Sequence, residues 1–222
     1  MLRFWVSTIS NFKWMGMETI VNTVPGYRVY EYLLVLHPHP ELWNRVMRVK
    51  EEFAERYQTG RSGLGGAHIA LVSFSQYAML EERIINRLRT VAMASPAFKV
   101  ELKDFGSFPS HTIYINVTSK VPVQQLVKSV RKETQRLMKL NEENKPYFML
   151  EPHLTIARKL VPWQYEQGWL EFSHKQFSGR FIAEGMTLLR RPEGEIKYQT
   201  VRRFEFQNLP VVTRQGELFG HG

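Results

Sequence analysis

An α+β fold, one bilobal unit of sheets packed against helices, is what the sequence predicts. Three observations lead there: segments of period-two alternation interleave with segments of helical spacing, a histidine opens one strand in each half of the chain, and no Pro/Ser-rich linker separates the halves. At 222 residues the chain can bury a sizeable core without staples.

Folded patterning begins near Tyr27, and residues 30–36 read as a strand stopped by His37-Pro38-His39-Pro40, a turn. Leu42, Val46, Val49 and Phe53 then fall at helical spacing within residues 41–57. A glycine-rich turn over 60–66 leads to a second strand, 68–74, and residues 79–91 form a helix with Leu80, Ile84, Ile85 and Leu88 as its apolar stripe. Alternation returns over 98–103 and, after a turn at 105–110, over 111–117. A helix at 123–140, a strand at 148–157 and a helix at 163–172 follow. Strands at 182–190 and 198–206, joined through Pro192-Glu193-Gly194, close the domain. Each half holds a helix followed by a histidine strand, which reads as a loose internal duplication. The expected organisation is a leader of unknown role over 1–26, the domain over 27–210 and a tail over 211–222.

Composition excludes several chemistries. With no cysteine there is no disulfide, thiolate nucleophile or Cys-ligated zinc, and a reducing cytoplasm is the expected setting. Thirty Lys+Arg against 21 Asp+Glu leave a net charge of +9, which favours polyanionic partners such as RNA or phosphate-bearing small molecules. No apolar run is long enough for a bilayer, and the first stretch lacks the uninterrupted apolar core of a secretory signal.

Ala67-His68-Ile69-Ala70-Leu71-Val72 and Pro152-His153-Leu154-Thr155-Ile156-Ala157 share one plan: a histidine opens a strand, then an apolar and a small residue follow. Residues two apart share a strand face, so His153 projects with Thr155 and His68 with Ala70. A neutral imidazole can take a proton from water or a ribose hydroxyl, and a protonated one can give a proton to a departing oxygen. That pair suits phosphodiester cleavage without a metal, and a threonine hydroxyl can hold a phosphate oxygen. His37 and His39, separated and followed by proline, read as a turn rather than a metal site. His111 begins a strand and is given a structural role. The glycines Gly63, Gly65 and Gly66 match neither a P-loop nor a dinucleotide fingerprint and form a lip beside His68. Phe105, Phe108, Tyr147 and Phe148 are candidates to stack a base, with core packing as the expected fate of most.

The segment Glu151-Pro152-His153-Leu154-Thr155-Ile156-Ala157-Arg158 resembles the second His-x-Thr/Ser motif of the 2H phosphoesterase superfamily, in its 2′-5′ RNA ligase-like and cyclic phosphodiesterase branch. Met186-Thr187-Leu188-Leu189-Arg190-Arg191, with Tyr198 and Phe204, resembles that family's closing hairpin. The resemblance implies antiparallel sheets lining a central cleft, helices outside, and pseudo-symmetric lobes. It implies His68 and His153 as catalytic residues, Thr155 as a phosphate ligand, no cofactor and no metal. Arg158 can serve as a bidentate phosphate clamp, yet five residues beyond His153 a regular strand turns it to the opposite face unless the strand bulges. The first motif, His68-Ile69-Ala70, departs from the pattern because Ala70 has no hydroxyl, and Ser73, three residues on, points away from the cleft in a regular strand.

The function expected is therefore a metal-independent phosphodiesterase or RNA-end-processing enzyme, monomeric, acting on a 2′,3′-cyclic phosphate or a 2′-5′ linkage of RNA or a nucleotide. The rivals are a catalytically weakened RNA- or nucleotide-binding module using the same basic cleft, for which Ala70 argues, and a structural domain in which both histidines only satisfy hydrogen bonds.

Overall fold

The computed structural model describes residues 26–59 and 65–210, so the expected leader apart from Gly26, residues 60–64 of the glycine turn and the tail over 211–222 lie outside the described residues. In chain order the elements are β1 (Val29–Leu36), α1 (Pro40–Arg56), β2 (Ile69–Tyr77), a 3-10 turn (Ala78–Leu80) and α2 (Glu81–Ala94). Then come β3 (Phe98–Phe108), β4 (Thr112–Val117), α3 (Lys120–Met138), β5 (Tyr147–Phe148) and β6 (His153–Arg158). Finally α4 (Pro162–Phe172), β7 (Ser178–Ala183), β8 (Gly185–Pro192) and β9 (Gln199–Glu205) complete the domain.

The strands form two sheets, one ordered β5-β2-β1-β8-β9 and the other β6-β4-β3-β7, and every pairing is antiparallel. Helices α2 and α3 cover the first sheet, while α1 and α4 pack on the second. The duplication appears in β1-α1-β2 and β4-α3-β6, with a reciprocal exchange. Helix α1 leads into β2 but packs on β6; α3 leads into β6 but packs on β2. Each lobe is thus stitched to the other by the helix that precedes its histidine strand.

Local chemistry explains the element boundaries. Pro40 opens α1, and His39 caps it, its Nδ1 accepting from the Leu42 backbone N–H at 3.4 Å. The turn expected over 37–40 is therefore also a helix cap. The strand expected over 148–157 divides at Pro152, which has no N–H for a ladder: β5 edges the first sheet beside β2, and β6 edges the second beside β4. Likewise the strand expected over 182–190 breaks at Glu184 into β7 and β8, which belong to different sheets. Gly185 permits the crossing, since a Cβ there would lie 2.4 Å from the Phe204 carbonyl oxygen. The turn expected over 105–110 is shorter: β3 continues to Phe108, and the reversal falls at Pro109 and Ser110, where Ser110 takes φ 71°.

Candidate active site

Strands β2 and β6 approach each other where the two sheets meet. Ala67 and Ile69 are buried on either side of His68, and Leu154 and Ile156 turn inward from His153 and Thr155, so both histidines face the space between the sheets. The two strands also share a defect. Val35 pairs with Ala70 and Leu34 with Val72, which leaves Leu71 as an extra residue in β2. Tyr114 pairs with Thr155 and Ile113 with Ala157, which leaves Ile156 extra in β6. Each bulge falls three residues after its histidine and reverses the alternation beyond it.

The consequence corrects two expectations from regular-strand geometry. Leu71 and Val72 are both buried, as are Ile156 and Ala157, so Ser73 and Arg158 arrive on the cleft face rather than opposite it. His68, His153, Thr155 and Arg158 all line one cavity of about 920 Å³, and Ala70 and Ser73 line it too.

His153 is well oriented. Its Nδ1–H donates to the Glu151 carbonyl oxygen at 2.8 Å, which leaves Nε2 for the cavity. Phe108 meets the ring edge-on at a centroid distance of 5.0 Å, and Tyr114 packs on it at 4.9 Å. Burial holds the His153 pKa below the usual histidine value, opposed by the hydrogen bond to the Glu151 carbonyl and by the Glu151 charge. On the other side, His68 packs against His37 with ring centroids 6.2 Å apart. Burial first, then the charges of Lys50, His37 and Arg158, pull the His68 pKa down to about 3. Both rings are therefore neutral near pH 7 in the free protein.

The cavity is basic. Lys50, Lys145, Arg158, Arg191 and Lys197 line it, and Glu31 is the one carboxylate among the described lining residues. Glu31 is already engaged, accepting from Arg191 Nε at 2.6 Å, while the Arg191 guanidinium lies 4.7 Å over the Tyr198 ring. Of the aromatic candidates, Phe108 and Tyr147 reach the cavity, and Tyr147 is 67% exposed. Phe105 packs instead on Phe172 and Phe177, and Phe148 lies under Arg131. His111 bonds Thr112 Oγ1 at 2.6 Å and is outside the cavity lining. Among the described residues no group of three or more His, Asp or Glu side chains is placed to hold a metal ion. No described helix is long and apolar enough to cross a membrane.

Lys50 was not among the expected site residues; its signal in the sequence is a charge on the apolar stripe of α1 between Val46 and Phe53. The cavity positions of His37, Glu31 and Tyr198 were likewise not foreseen.

The sequence profile of the 2′-5′ RNA ligase superfamily matches residues 38–195, a span that contains both histidine strands. The chain belongs to the 2′-5′ RNA ligase superfamily, a 2H phosphoesterase family. Solved structures agree on the fold of this superfamily member. E. coli LigT complexed with 3′-AMP is similar at 15% identity and a TM-score of 0.58, covering 80% of this chain and 98% of that one. E. coli LigT complexed with NADP+ gives 15% identity and a TM-score of 0.55, with coverage of 81% and 99%. The Thermus thermophilus protein TT0787 gives 17% and 0.53, covering 80% and 98%. No curated protein sequence matches the chain. Both His68-Ile69-Ala70 and His153-Leu154-Thr155 fall inside the matched span, and only the second has a hydroxyl two residues after its histidine.

Proposed function

We propose that this superfamily member is a metal-independent phosphodiesterase that cleaves a 2′,3′-cyclic phosphate or a 2′-5′ phosphodiester at the end of an RNA or in a nucleotide. The observation that carries the reading is the convergence of His68, just ahead of β2, and His153, at the start of β6 in the opposite sheet, on one basic cavity with Thr155 and Arg158. The complexes of LigT with 3′-AMP and NADP+ support a nucleotide substrate.

In the proposed step His68, the more strongly neutral ring, takes a proton from water as the oxygen–phosphorus bond forms. The P–O bond to the ribose oxygen breaks, and protonated His153 gives its Nε2 proton to that oxygen. Thr155 donates its hydroxyl to a non-bridging oxygen, and Arg158 holds the phosphate charge with its guanidinium. A bound phosphate anion raises the pKa of His153, supplying the acid that the free protein lacks at neutral pH.

Hydrolysis of nucleoside 2′,3′-cyclic phosphates in EDTA tests the reading. Turnover is expected to persist with the chelator, and its loss there would contradict the metal-free step. Because kcat/KM reports the free protein, its alkaline limb should begin below pH 6.5, where His153 loses its proton, and the acid limb should lie far lower, where His68 gains one. An aryl phosphodiester, whose leaving group needs no proton, separates the roles: His153→Ala should retain far more activity on it than His68→Ala. The reverse order would exchange acid and base.

Ala70 favours a second reading, a binding module with the same cleft. Salt-sensitive RNA binding with no hydrolysis would be its signature. If the site is catalytic, restoring the hydroxyl should help. Ala70→Thr is expected to raise kcat/KM about tenfold, the lower end of a hydrogen bond to a charged oxygen at ~1.5 kcal/mol. An unchanged or lower rate would show that Ala70 does not face the phosphate.

A further inference from the structure

The chemistry above leaves one buried charge unused. Lys50 sits on the inner face of α1 with 3% of its surface exposed, and its Nζ donates to the Gly65 carbonyl at 2.6 Å and lies 3.5 Å from that of Gly66. Helix α1 packs on the second sheet, whereas Gly65 and Gly66 lead into β2 of the first, so this ammonium spans the junction between lobes. Gly66 neighbours the imidazole: a Cβ there would make ordinary contact, 3.7 Å from His68 Nδ1. Among the described residues the hydrogen-bond partners of Lys50 are carbonyl oxygens, with no carboxylate among them. An apolar side chain of like volume would fill the place without the cost of burying a charge. A lysine there calls for a role that the charge itself performs.

We propose that Lys50 is a positioning residue for His68: its ammonium grips the backbone of Gly65 and Gly66 and so sets the imidazole on the cleft face, with its charge near enough to act on the ring. The importance of the device rests on the reading of His68 as the base. The groups bearing on His68 are Lys50 from α1, His37 beyond β1 and Arg158 from β6, with His153 across the cavity and Arg203 of β9 acting on His37. The charges of Lys50, His37 and Arg158 all disfavour an imidazolium at His68. Burial, then Arg158, lowers the Lys50 pKa to about 8, so the ammonium form prevails at neutral pH and below.

The test is an NMR titration of the histidine rings in the wild type, Lys50→Met and Lys50→Arg, with His68→Ala and His153→Ala assigning the signals. In Lys50→Met the His68 midpoint should rise by about one unit, with that of His153 unmoved, while Lys50→Arg keeps the low midpoint. An unmoved His68, or an equal shift of both rings, would overturn the proposal. Should Lys50→Met fail to give a cooperative melt, Lys50→Gln is read by the same criteria. Where turnover is measurable, Lys50→Met should lower kcat about 10- to 100-fold with KM little changed, and cost nothing further in a His68→Ala background. A full additional loss there would show that Lys50 acts independently of His68. A raised His68 midpoint without any hydrolysis would sink the proposed function and leave the positioning role intact; hydrolysis with an unmoved midpoint would do the opposite.

Discussion

His153→Ala and His68→Ala are each expected to lower kcat/KM for a nucleoside 2′,3′-cyclic phosphate by about 10²–10⁴-fold, the usual contribution of a positioned acid or base. The two losses should not add. Once one proton transfer is gone the other has no concerted partner, so the double variant should fall little below the worse single one. Stability should barely move. Both rings sit on the cleft face of their strands, outside the cluster formed by Ile69, Leu71, Leu154 and Ile156. Thermal melts by circular dichroism beside the kinetics provide the control. Equal and modest losses from both variants, with lowered melting temperatures, would reassign the histidines to structure.

Phe53→Ala is expected to be the most damaging single core truncation for stability. Phe53 is fully buried, its ring 4.6 Å from Tyr57 and 5.1 Å from Phe172. Helix α4 lies flush on it, because a Cβ at Gly168 would come 2.7 Å from the Phe53 ring. A rigid, close-fitting wall collapses poorly into a void, so the cost should be about 3–5 kcal/mol, a large part of the ~5–15 kcal/mol that holds a typical domain. Urea denaturation should show the midpoint lowered by about 1–2 M at an unchanged slope. A loss under about 1 kcal/mol would mean that α1 and α4 repack. Phe53 lies one helical turn from Lys50, so the same variant should weaken the seat of His68 as well.

Helical stripes and paired histidine strands were legible in the sequence because both depend on local periodicity. Leu42, Val46 and Phe53 announce α1 whatever it packs against, and His153-Leu154-Thr155 announces its own alternation. Bulges are different. Whether Leu71 or Ile156 is an extra residue is decided by the partner strand's register, and no property of either side chain reveals it. Arg158 and Ser73 were for that reason expected on the wrong face. The division at Glu184 was hidden for a similar cause: the choice of sheet on either side of it is made by distant β3 and β1. Lys50 was visible as a lysine on an apolar stripe, but its target, the backbone before His68, belongs to the opposite lobe. The exchange of α1 and α3 between lobes is a tertiary fact with no local signal.

A crystal structure with inorganic phosphate or a nucleoside 2′-phosphate bound is the most direct measurement. The expected result is one phosphate seated between the two rings, with His153 Nε2 and a His68 ring nitrogen both within about 3 Å of its oxygens, and with Thr155 and Arg158 on the remaining oxygens. A phosphate touching only one of the histidines, or bound outside the cavity between β2 and β6, would contradict the two-histidine mechanism.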